Sequence, residues 1–322
     1  MEPTTPPPLI DAAPKTNSLH DDVLVGLKKS QKEIPSKYLY DAHGSKLFDA
    51  ICELDEYYPT RTEIAIMREC IGEMADTLGR GLQLVEYGSG SSLKTRILLD
   101  HLDDVAEYVP VDISREHLLE ASESLAARFP HVPIQPVCAD YTADVPLPLL
   151  PDGARRVVYY PGSTIGNFQP EAATAFLSSI AERIAPDGGL LIGVDLRKSP
   201  DLLRAAYNDA EGVTAAFNKN LLRRINRELG ADFDLDAFRH DARWNATAGC
   251  IEMHLVSTTA QTVHIDGHAV SFEAGESIRT EYSFKYTLDG FAARAADAGL
   301  HVEQVWTDDA GLFSVQYASV AA

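Results

Sequence analysis

The sequence predicts an α/β protein: a doubly wound, Rossmann-like parallel sheet that ends in a C-terminal antiparallel hairpin, plus a smaller α+β domain. Three observations predict this fold class. Apolar, strand-like segments alternate with amphipathic, helix-like ones from residue 82 to residue 195. A turn with Gly88 and Gly90 joins the first of these strands to its helix. The alternation stops after Asp195, where a long helical stretch and a run of strand-like segments follow.

The N-terminal part of the chain precedes this alternation. Residues 1–16 are rich in proline and threonine, which predicts a disordered tail. Residues 17–62 contain a short amphipathic helix and a segment dense in aromatic side chains. The alternation itself predicts strands at 82–87, 107–111, 134–138, 155–160 and 189–194, and helices near 92–102, 114–128 and 171–185.

The C-terminal part divides in two. Residues 201–229 read as helix with a break near 209–212, and strands are predicted at 250–258, 260–266, 269–273 and 277–286. A helix at 289–298 and strands at 301–306 and 312–320 return to the first sheet. We therefore expect a substrate domain from 17–62 and 196–286, and a cofactor domain from 63–195 and 287–322.

The bulk composition excludes several classes of protein. Hydrophobic residues make up 45% of the 322 residues and charged ones 24%, as in globular proteins. A net charge of −20 disfavours nucleic acid and anionic membrane surfaces as partners. No apolar run approaches the ~20 residues that span a bilayer, and no signal peptide is recognisable. We expect a cytoplasmic monomer that acts on a small molecule.

The four cysteines indicate neither a metal site nor a disulfide framework. Cys52, Cys70, Cys138 and Cys250 are widely spaced and show no CxxC pairing. Free thiols in a reducing compartment are the expected state.

The Gly88 and Gly90 turn predicts a ligand site. Glycines at a strand-to-helix turn let the backbone approach a ligand, and the helix amides that follow favour a negatively charged group. A dinucleotide fingerprint needs a third glycine where this chain has Leu93. That difference opposes an NAD-dependent oxidoreductase, and a purely structural turn is the alternative interpretation of the two glycines.

Two further strand ends carry polar side chains. Asp112 follows the second strand, where a carboxylate suits the hydroxyls of a ribose. Asp140 and Tyr141 follow the third strand, where a carboxylate can accept an adenine amino group and a ring can stack on the base. Together with the glycine turn, they resemble the S-adenosylmethionine pocket of class I methyltransferases.

Longer motifs make the resemblance specific. They are KYLYDAHGSKLFDAI, EYYPTRTE, VEYGSGSSLKTR, PGSTIGNF, AAYNDAEGVTAAFNKNLL and TEYSFKY. In this order, from about residue 20 onward, they resemble the histidine-specific Nα-methyltransferases of ergothioneine biosynthesis. The resemblance implies trimethylation of the α-amino group of L-histidine to hercynine, with S-adenosylmethionine as methyl donor and no metal. Methylation of another amino acid or small amine is the alternative.

The resemblance also implies the cofactor contacts. They fall on Tyr40, Gly88, Lys94, Asp112, Asp140 and Tyr141. Lys94, in the first helical turn, would meet the cofactor's carboxylate, although a solvated helix lysine is an alternative interpretation. The family has phenylalanine more often at the position of Tyr141, and a stacked tyrosine ring serves the same purpose.

The implied substrate contacts are of two kinds. Tyr57, Asn167 and Tyr207 would bind the α-carboxylate and amino end, Glu281 and Ser283 would bind the imidazole, and Thr214 and Met253 would line the site. Residues 281 and 283 share one face of a strand, so a carboxylate and a hydroxyl can each serve one ring nitrogen. An exposed polar strand edge is the alternative for that pair, and Met253 alone would suit a core position.

The expected mechanism is a direct in-line displacement by the substrate amine. Tyr40 and Asn167 are the candidates that orient its nitrogen, and the chain shows no dedicated strong base. A cofactor-binding regulatory module would lack the substrate contacts, all of which are present in the sequence.

Overall fold

A computed structural model describes residues 8–12, 17–90 and 92–320, except for the side chains of 17 and 18. The strands are β1 (Ile10–Ala12), β2 (Lys32–Glu33), β3 (Leu82–Tyr87), β4 (Val105–Asp112), β5 (Val137–Ala139), β6 (Arg155–Tyr160), β7 (Gly189–Asp195), β8 (Phe238–Asn245), β9 (Cys250–Ser257), β10 (Gln261–Ile265), β11 (His268–Phe272), β12 (Ser277–Phe284), β13 (Leu300–Thr307) and β14 (Phe313–Val320).

The α-helices are α1 (Asn17–Gly26), α2 (Ala42–Cys52), α3 (Tyr58–Leu78), α4 (Leu93–Leu99), α5 (Arg115–Arg128), α6 (Pro170–Ile184), α7 (Pro200–Ala206), α8 (Val213–Leu229) and α9 (Leu288–Asp297). Short 3-10 helices cover Ser36–Leu39, Thr164–Asn167 and Leu235–Ala237. Within the described residues, none of the helices combines the length and the apolar character that a membrane span requires.

The described chain forms two compact units. The first unit lies within residues 1–13, 59–197 and 285–322, and the second within 14–58 and 198–284. The division into a substrate domain and a cofactor domain stays a prediction.

The first unit is built on one eight-stranded sheet. Its order is β1-β5-β4-β3-β6-β7-β14-β13, and all neighbours are parallel except β14, which is antiparallel to both β7 and β13. Strand β3 is buried along its whole length, as expected of a central parallel strand, although its sequence LQLVEY includes the polar residues Gln83 and Glu86. The chain runs from β3 to β4 and β5 on one side, then crosses to β6 on the other, which makes β3 the topological switch point. The doubly wound sheet with its C-terminal hairpin is confirmed.

The predicted disordered tail is wrong for residues 10–12. These residues form β1, which pairs in parallel with β5, Ile10 opposite Val137 and Ala12 opposite Ala139. The N–H of Ile10 also donates to the carbonyl of Pro136 (2.9 Å). Residues 1–7 and 13–16 of the predicted tail lie outside the described residues.

The second unit contains a four-stranded sheet of order β2-β12-β9-β8 and a separate hairpin of β10 and β11. Strand β8 was not predicted from the sequence. It has one neighbour, β9, and only Phe238 and Ala242 of its eight residues are buried. Phe238 and Ala242 are separated by three polar residues, so β8 gives no alternating apolar pattern and local sequence does not reveal it.

The break expected near residues 209–212 separates α7 from α8. The carboxylate of Asp209 accepts hydrogen bonds from the N–H groups of Val213 and Thr214, both at 2.8 Å. A carboxylate at the first turn satisfies amides that have no partner inside a helix. Asp209 therefore fixes where α8 begins.

Candidate active site

The glycine turn after β3 needs glycine for its backbone conformation. Gly88 has φ of 75° and Gly90 has φ of 45°, a region that side chains with a Cβ rarely adopt. The N–H of Gly88 donates to the carbonyl of Val111 (2.8 Å) and ties the turn to β4. A Cβ on Gly88 would lie 3.9 Å from the Tyr141 ring, an ordinary contact. Dihedral angle, rather than crowding within the protein, therefore requires the glycine.

Asp112 and Asp140 lie at the same edge of the sheet as this turn, because β3, β4 and β5 are adjacent and parallel. The carboxylate of Asp112 accepts the N–H of Ser114 (2.8 Å). Burial raises the pKa of Asp112, while hydrogen bonds from the main chain oppose the rise. Asp140 accepts the N–H of Thr142 at 2.9 Å and its hydroxyl at 2.5 Å. Both carboxylates are thus held by short turns at the carboxyl ends of strands.

Tyr141 packs in an aromatic cluster. Its ring is stacked on Tyr87, with centroids 5.7 Å apart and planes at 22°, and meets Tyr160 edge-on at 5.7 Å. One face of the Tyr141 ring is therefore covered by protein. The ring is half-buried, so it can stack on a base only through its remaining surface.

Two buried hydroxyls beside the glycine turn fit a polar ligand. The Oγ atoms of Ser89 and Ser92 have no hydrogen-bond partner among the described residues, which exclude Ser91 between them. Ser92 also has φ of 58°, unusual for a residue other than glycine. An unsatisfied buried hydroxyl costs about 1–3 kcal/mol, which a ligand with carboxylate or hydroxyl groups would recover. The hydroxyl and carboxylate groups of S-adenosylmethionine suit this turn.

Lys94 is paired with a carboxylate that the sequence reasoning missed. Its Nζ lies 2.5 Å from Oε2 of Glu63 on α3, and the two side chains are 18% and 1% exposed. A solvated helix lysine is therefore the wrong interpretation. Glu63 also accepts the N–H of Gly162, at 3.0 and 3.1 Å. A Cβ on Gly193 of β7 would lie 2.4 Å from Glu63 Oε1, so glycine there makes room for this carboxylate.

The only sequence signal for Glu63 was its place in the EYYPTRTE motif. A single glutamate in an amphipathic helix looks like a solvated residue, and nothing local shows that it is buried. Its partners Lys94 and Gly162 lie far along the chain, which is why the spacing of residues could not find it.

Glu86, just before the glycine turn, is a second buried carboxyl group. Burial raises the pKa of Glu86 to about 7, although hydrogen bonds from Thr95 and Tyr108 oppose the rise. Both hydroxyls lie 2.6 Å from Glu86 Oε2. This group links β3, β4 and α4 beneath the turn.

The loop with the sequence PGSTIGNF is fixed at two points. The N–H of Gly162 is bound by Glu63, and Ser163 Oγ accepts the N–H of Asp195 (2.8 Å). Ser163 has φ of 57°, which turns the chain sharply after β6. Asn167 ends the 3-10 helix that follows and is half-buried. The sheet unit thus presents Asn167 from an anchored loop.

In the second unit, three predicted substrate contacts come together. The hydroxyls of Tyr207 and Ser283 lie 2.7 Å apart, and the rings of Tyr57 and Tyr207 meet edge-on with centroids 6.1 Å apart. All three side chains are buried. Burial raises the pKa of Tyr57 well above its ordinary value, and nearby Tyr207 and Glu281 add to the rise. The Tyr57 phenol is therefore neutral, and its hydroxyl can donate a hydrogen bond.

Glu281 is 9% exposed. An exposed polar edge is therefore the wrong interpretation of the Glu281 and Ser283 pair. On the neighbouring strand, Met253 is the register partner of Glu281 and is also buried. A bulge between Arg279 and Glu281 shifts the register of β12 at this point.

Thr214 and Tyr40 complete the predicted set in the second unit. Thr214 is buried in the first turn of α8. Tyr40 is half-buried and packs edge-on against Phe48 at 5.6 Å and Phe217 at 5.4 Å. The predicted site residues thus fall into two groups. The first unit holds Gly88, Lys94, Asp112, Asp140, Tyr141 and Asn167, and the second holds Tyr40, Tyr57, Tyr207, Thr214, Met253, Glu281 and Ser283.

Comparison with known proteins identifies the family. The family described as "Histidine-specific methyltransferase, SAM-dependent" matches residues 19–320. The chain belongs to this family. Among its relatives, the histidine N-alpha-methyltransferase of Mycolicibacterium smegmatis is 44% identical over 306 residues, 94% of each chain. That of Mycobacterium tuberculosis is 43% identical over 307 residues, 94% of this chain and 95% of the relative.

A third relative is longer. Ergothioneine biosynthesis protein 1 of Neurospora crassa is 28% identical over 299 residues, which are 87% of this chain but 32% of that protein. Family membership confirms the resemblance seen in the motifs and makes the chain an S-adenosylmethionine-dependent methyltransferase. Within the part of the chain that the structure describes, there is no group of three or more histidine, cysteine, aspartate or glutamate side chains that could hold a metal ion.

Proposed function

We propose that this member of the histidine-specific family trimethylates the α-amino group of L-histidine, giving hercynine for ergothioneine synthesis. The observation that carries the proposal is the buried pair of Glu281 and Ser283 on one face of β12. A carboxylate accepts an imidazole N–H, and a hydroxyl serves the other ring nitrogen. A substrate with an apolar ring could not hydrogen-bond to either side chain, whereas an imidazole can bond to both.

The reaction is an in-line displacement at carbon. When bound, S-adenosylmethionine supplies a methyl group on a positively charged sulfur. The lone pair of the substrate nitrogen forms the new C–N bond as the C–S bond breaks, and the sulfur keeps the bonding electrons. An α-amino group has a pKa of about 8, so it must lose a proton before each transfer. Three cycles therefore release three protons for each histidine.

The substrate's amino-acid end is assigned to neutral donors. Tyr57 and Tyr207 present phenol hydroxyls, and Asn167 presents an amide. Such groups bind a carboxylate without placing another cation near the sulfonium, where like charges would repel. Tyr40 and Asn167 are assigned to orient the nitrogen. Positioning of this kind, rather than a strong base, would supply most of the rate.

The methyl donor is assigned to the first unit. Gly88 and the hydroxyls beside it would contact the amino-acid end of S-adenosylmethionine. Lys94 would contact the same end with two of its three N–H groups, because the third donates to Glu63. Asp112 would accept the ribose hydroxyls. Asp140 would accept the adenine amino group, and Tyr141 would stack on the adenine ring.

One experiment tests the substrate. Purified protein is incubated with S-adenosylmethionine and each of the twenty amino acids, and products are followed by mass spectrometry and by proton release with a pH indicator. With histidine alone, we expect three added methyl groups and the release of three protons per product molecule. Methylation of a different amino acid, or none, would contradict the proposal and favour the alternative of another amine substrate.

A second experiment tests Glu281. Glu281→Gln should weaken histidine binding about 10- to 100-fold, because a charge-assisted hydrogen bond is worth about 1.5–3 kcal/mol, and should leave the affinity for S-adenosylmethionine unchanged. Glu273→Gln, at an exposed position of the same unit, is the control. Equal losses of both affinities in calorimetric titrations would refute the assigned role.

We also propose that the enzyme works in the cytoplasm as a monomer and does not bind nucleic acid. The high negative charge supports the absence of nucleic acid, and the unpaired spacing of the cysteines supports a reducing compartment. Light scattering at a working concentration checks the oligomeric state.

A further inference from the structure

We propose that Asn218, His240 and Thr280 form a hydrogen-bond network that positions the histidine-binding side chains of the second unit. The inference rests on the proposed function and assigns it three positioning residues. The sequence assigns no role to any of the three.

Asn218 is the centre of the network and is fully buried on α8. Its Nδ2 donates to His240 Nδ1 (2.9 Å) and to the carbonyl of His254 (3.1 Å). Its Oδ1 accepts the hydroxyl of Thr280 (2.6 Å). Both N–H groups and the carbonyl oxygen are used, so rotating the amide by 180° would break all three bonds.

His240 carries the network to Tyr207. Because its Nδ1 accepts from Asn218, the ring proton lies on Nε2, which donates to the main-chain carbonyl of Tyr207 (2.8 Å). Burial lowers the pKa of His240, which favours this neutral form. Asp241 and Asp209 act against that shift, and Lys219 acts with it. Tyr207 is thus held at its backbone, while its hydroxyl meets Ser283.

Thr280 carries the network to Glu281. It lies at the bulge of β12, and its hydroxyl is also 3.1 Å from the carbonyl of Met253 on β9. Thr280 and the neighbouring Glu281 are both buried. A bulge changes the direction of a strand locally, and the hydrogen bond from Thr280 to Asn218 holds the residue at which the register of β12 shifts.

The network therefore connects the two ends of the proposed imidazole and carboxylate site. One arm ends on Tyr207, and the other ends next to Glu281. Apolar side chains of the same shape would be cheaper to bury than these polar ones. Polar groups that are all satisfied are suited to fixing one geometry, which a site selective for a small substrate requires.

The test compares matched pairs of variants. Thr280→Val removes the hydroxyl at constant shape, and Thr280→Ser keeps it. His240→Asn keeps an acceptor near Nδ1 but cannot reach the Tyr207 carbonyl, whereas His240→Gln can reach it. We expect the valine and asparagine variants to raise KM for histidine about tenfold, with dissociation of S-adenosylmethionine unchanged. The serine and glutamine variants should recover most of the loss.

Melting temperatures and circular dichroism accompany each variant. If Thr280→Val does not fold, the His240 pair decides. Equal histidine KM within both pairs, or parallel losses of affinity for both substrates, would overturn the inference. A wild-type enzyme that does not methylate histidine would instead overturn the proposed function.

Discussion

Replacing Glu63 by glutamine tests how the first unit holds Lys94. Glutamine keeps the size of the side chain and one oxygen that can accept the N–H of Gly162. It loses the negative charge that faces Lys94 Nζ at 2.5 Å. The change therefore separates the ion pair from the packing around it.

The expected cost follows from burial. A charge-assisted hydrogen bond is worth about 1.5–3 kcal/mol. Removing one partner of a fully buried ion pair costs about 3–5 kcal/mol, because the remaining charge is stranded. Lys94 keeps 18% of its side chain exposed and can turn towards water, which reduces that penalty. We expect Glu63→Gln to lower the unfolding free energy by about 2–3 kcal/mol.

Urea denaturation followed by circular dichroism measures this loss, and calorimetry measures S-adenosylmethionine binding. We expect binding to weaken about tenfold, because Lys94 loses the group that orients it. A double-mutant cycle with Lys94→Met should give a coupling energy of about 1–2 kcal/mol. Glu69→Gln, at an exposed position of the same helix, should change neither quantity. A coupling energy near zero would refute the reasoning.

Three further predictions concern other parts of the molecule. Because burial raises the pKa of Glu86 to about 7 from an ordinary 4.5, the folded protein keeps a proton that the unfolded chain loses as pH rises between those values. The unfolding free energy should therefore fall by up to about 3 kcal/mol across that window, and Glu86→Gln should remove this component in denaturation at pH 5 and pH 8. Tyr207→Phe removes the hydroxyl that meets Ser283, so KM for histidine should rise about tenfold with little change in melting temperature. A large loss of stability would instead show that the hydroxyl serves folding. Chelation with EDTA should leave the methylation rate unchanged, and a loss restored by a divalent metal would contradict the metal-free mechanism.

The parts of the fold that depend on local sequence could be predicted. Strand β3 carries the apolar residues Leu82, Leu84 and Val85, and the glycines that follow it adopt backbone angles that favour glycine. Parallel strands place their carboxyl ends together, so Asp112 and Asp140 could be assigned to the same edge as the turn.

The parts of the fold and of the site that depend on distant partners could not be predicted from the sequence. Strand β1 is three residues long and exists because β5 offers an edge to pair with. Strand β8 buries only two of its eight residues, and these two do not alternate with polar ones. Asn218 and Thr280 are 62 positions apart and meet only in the folded chain. Propensity and periodicity report neighbours in sequence, and these elements are defined by neighbours in space.

Glycine at position 193 couples the sequence of β7 to the sequence of α3. A methyl group added there would lie 2.4 Å from Glu63 Oε1 and 3.1 Å from the main-chain nitrogen of Gly162. Any larger residue at 193 therefore has to displace the glutamate. In a library randomised at positions 63 and 193 and selected for methylation, we expect glycine to be recovered wherever glutamate is recovered. Alanine at 193 should appear only with a shorter side chain at 63, so the two codons would evolve as a pair.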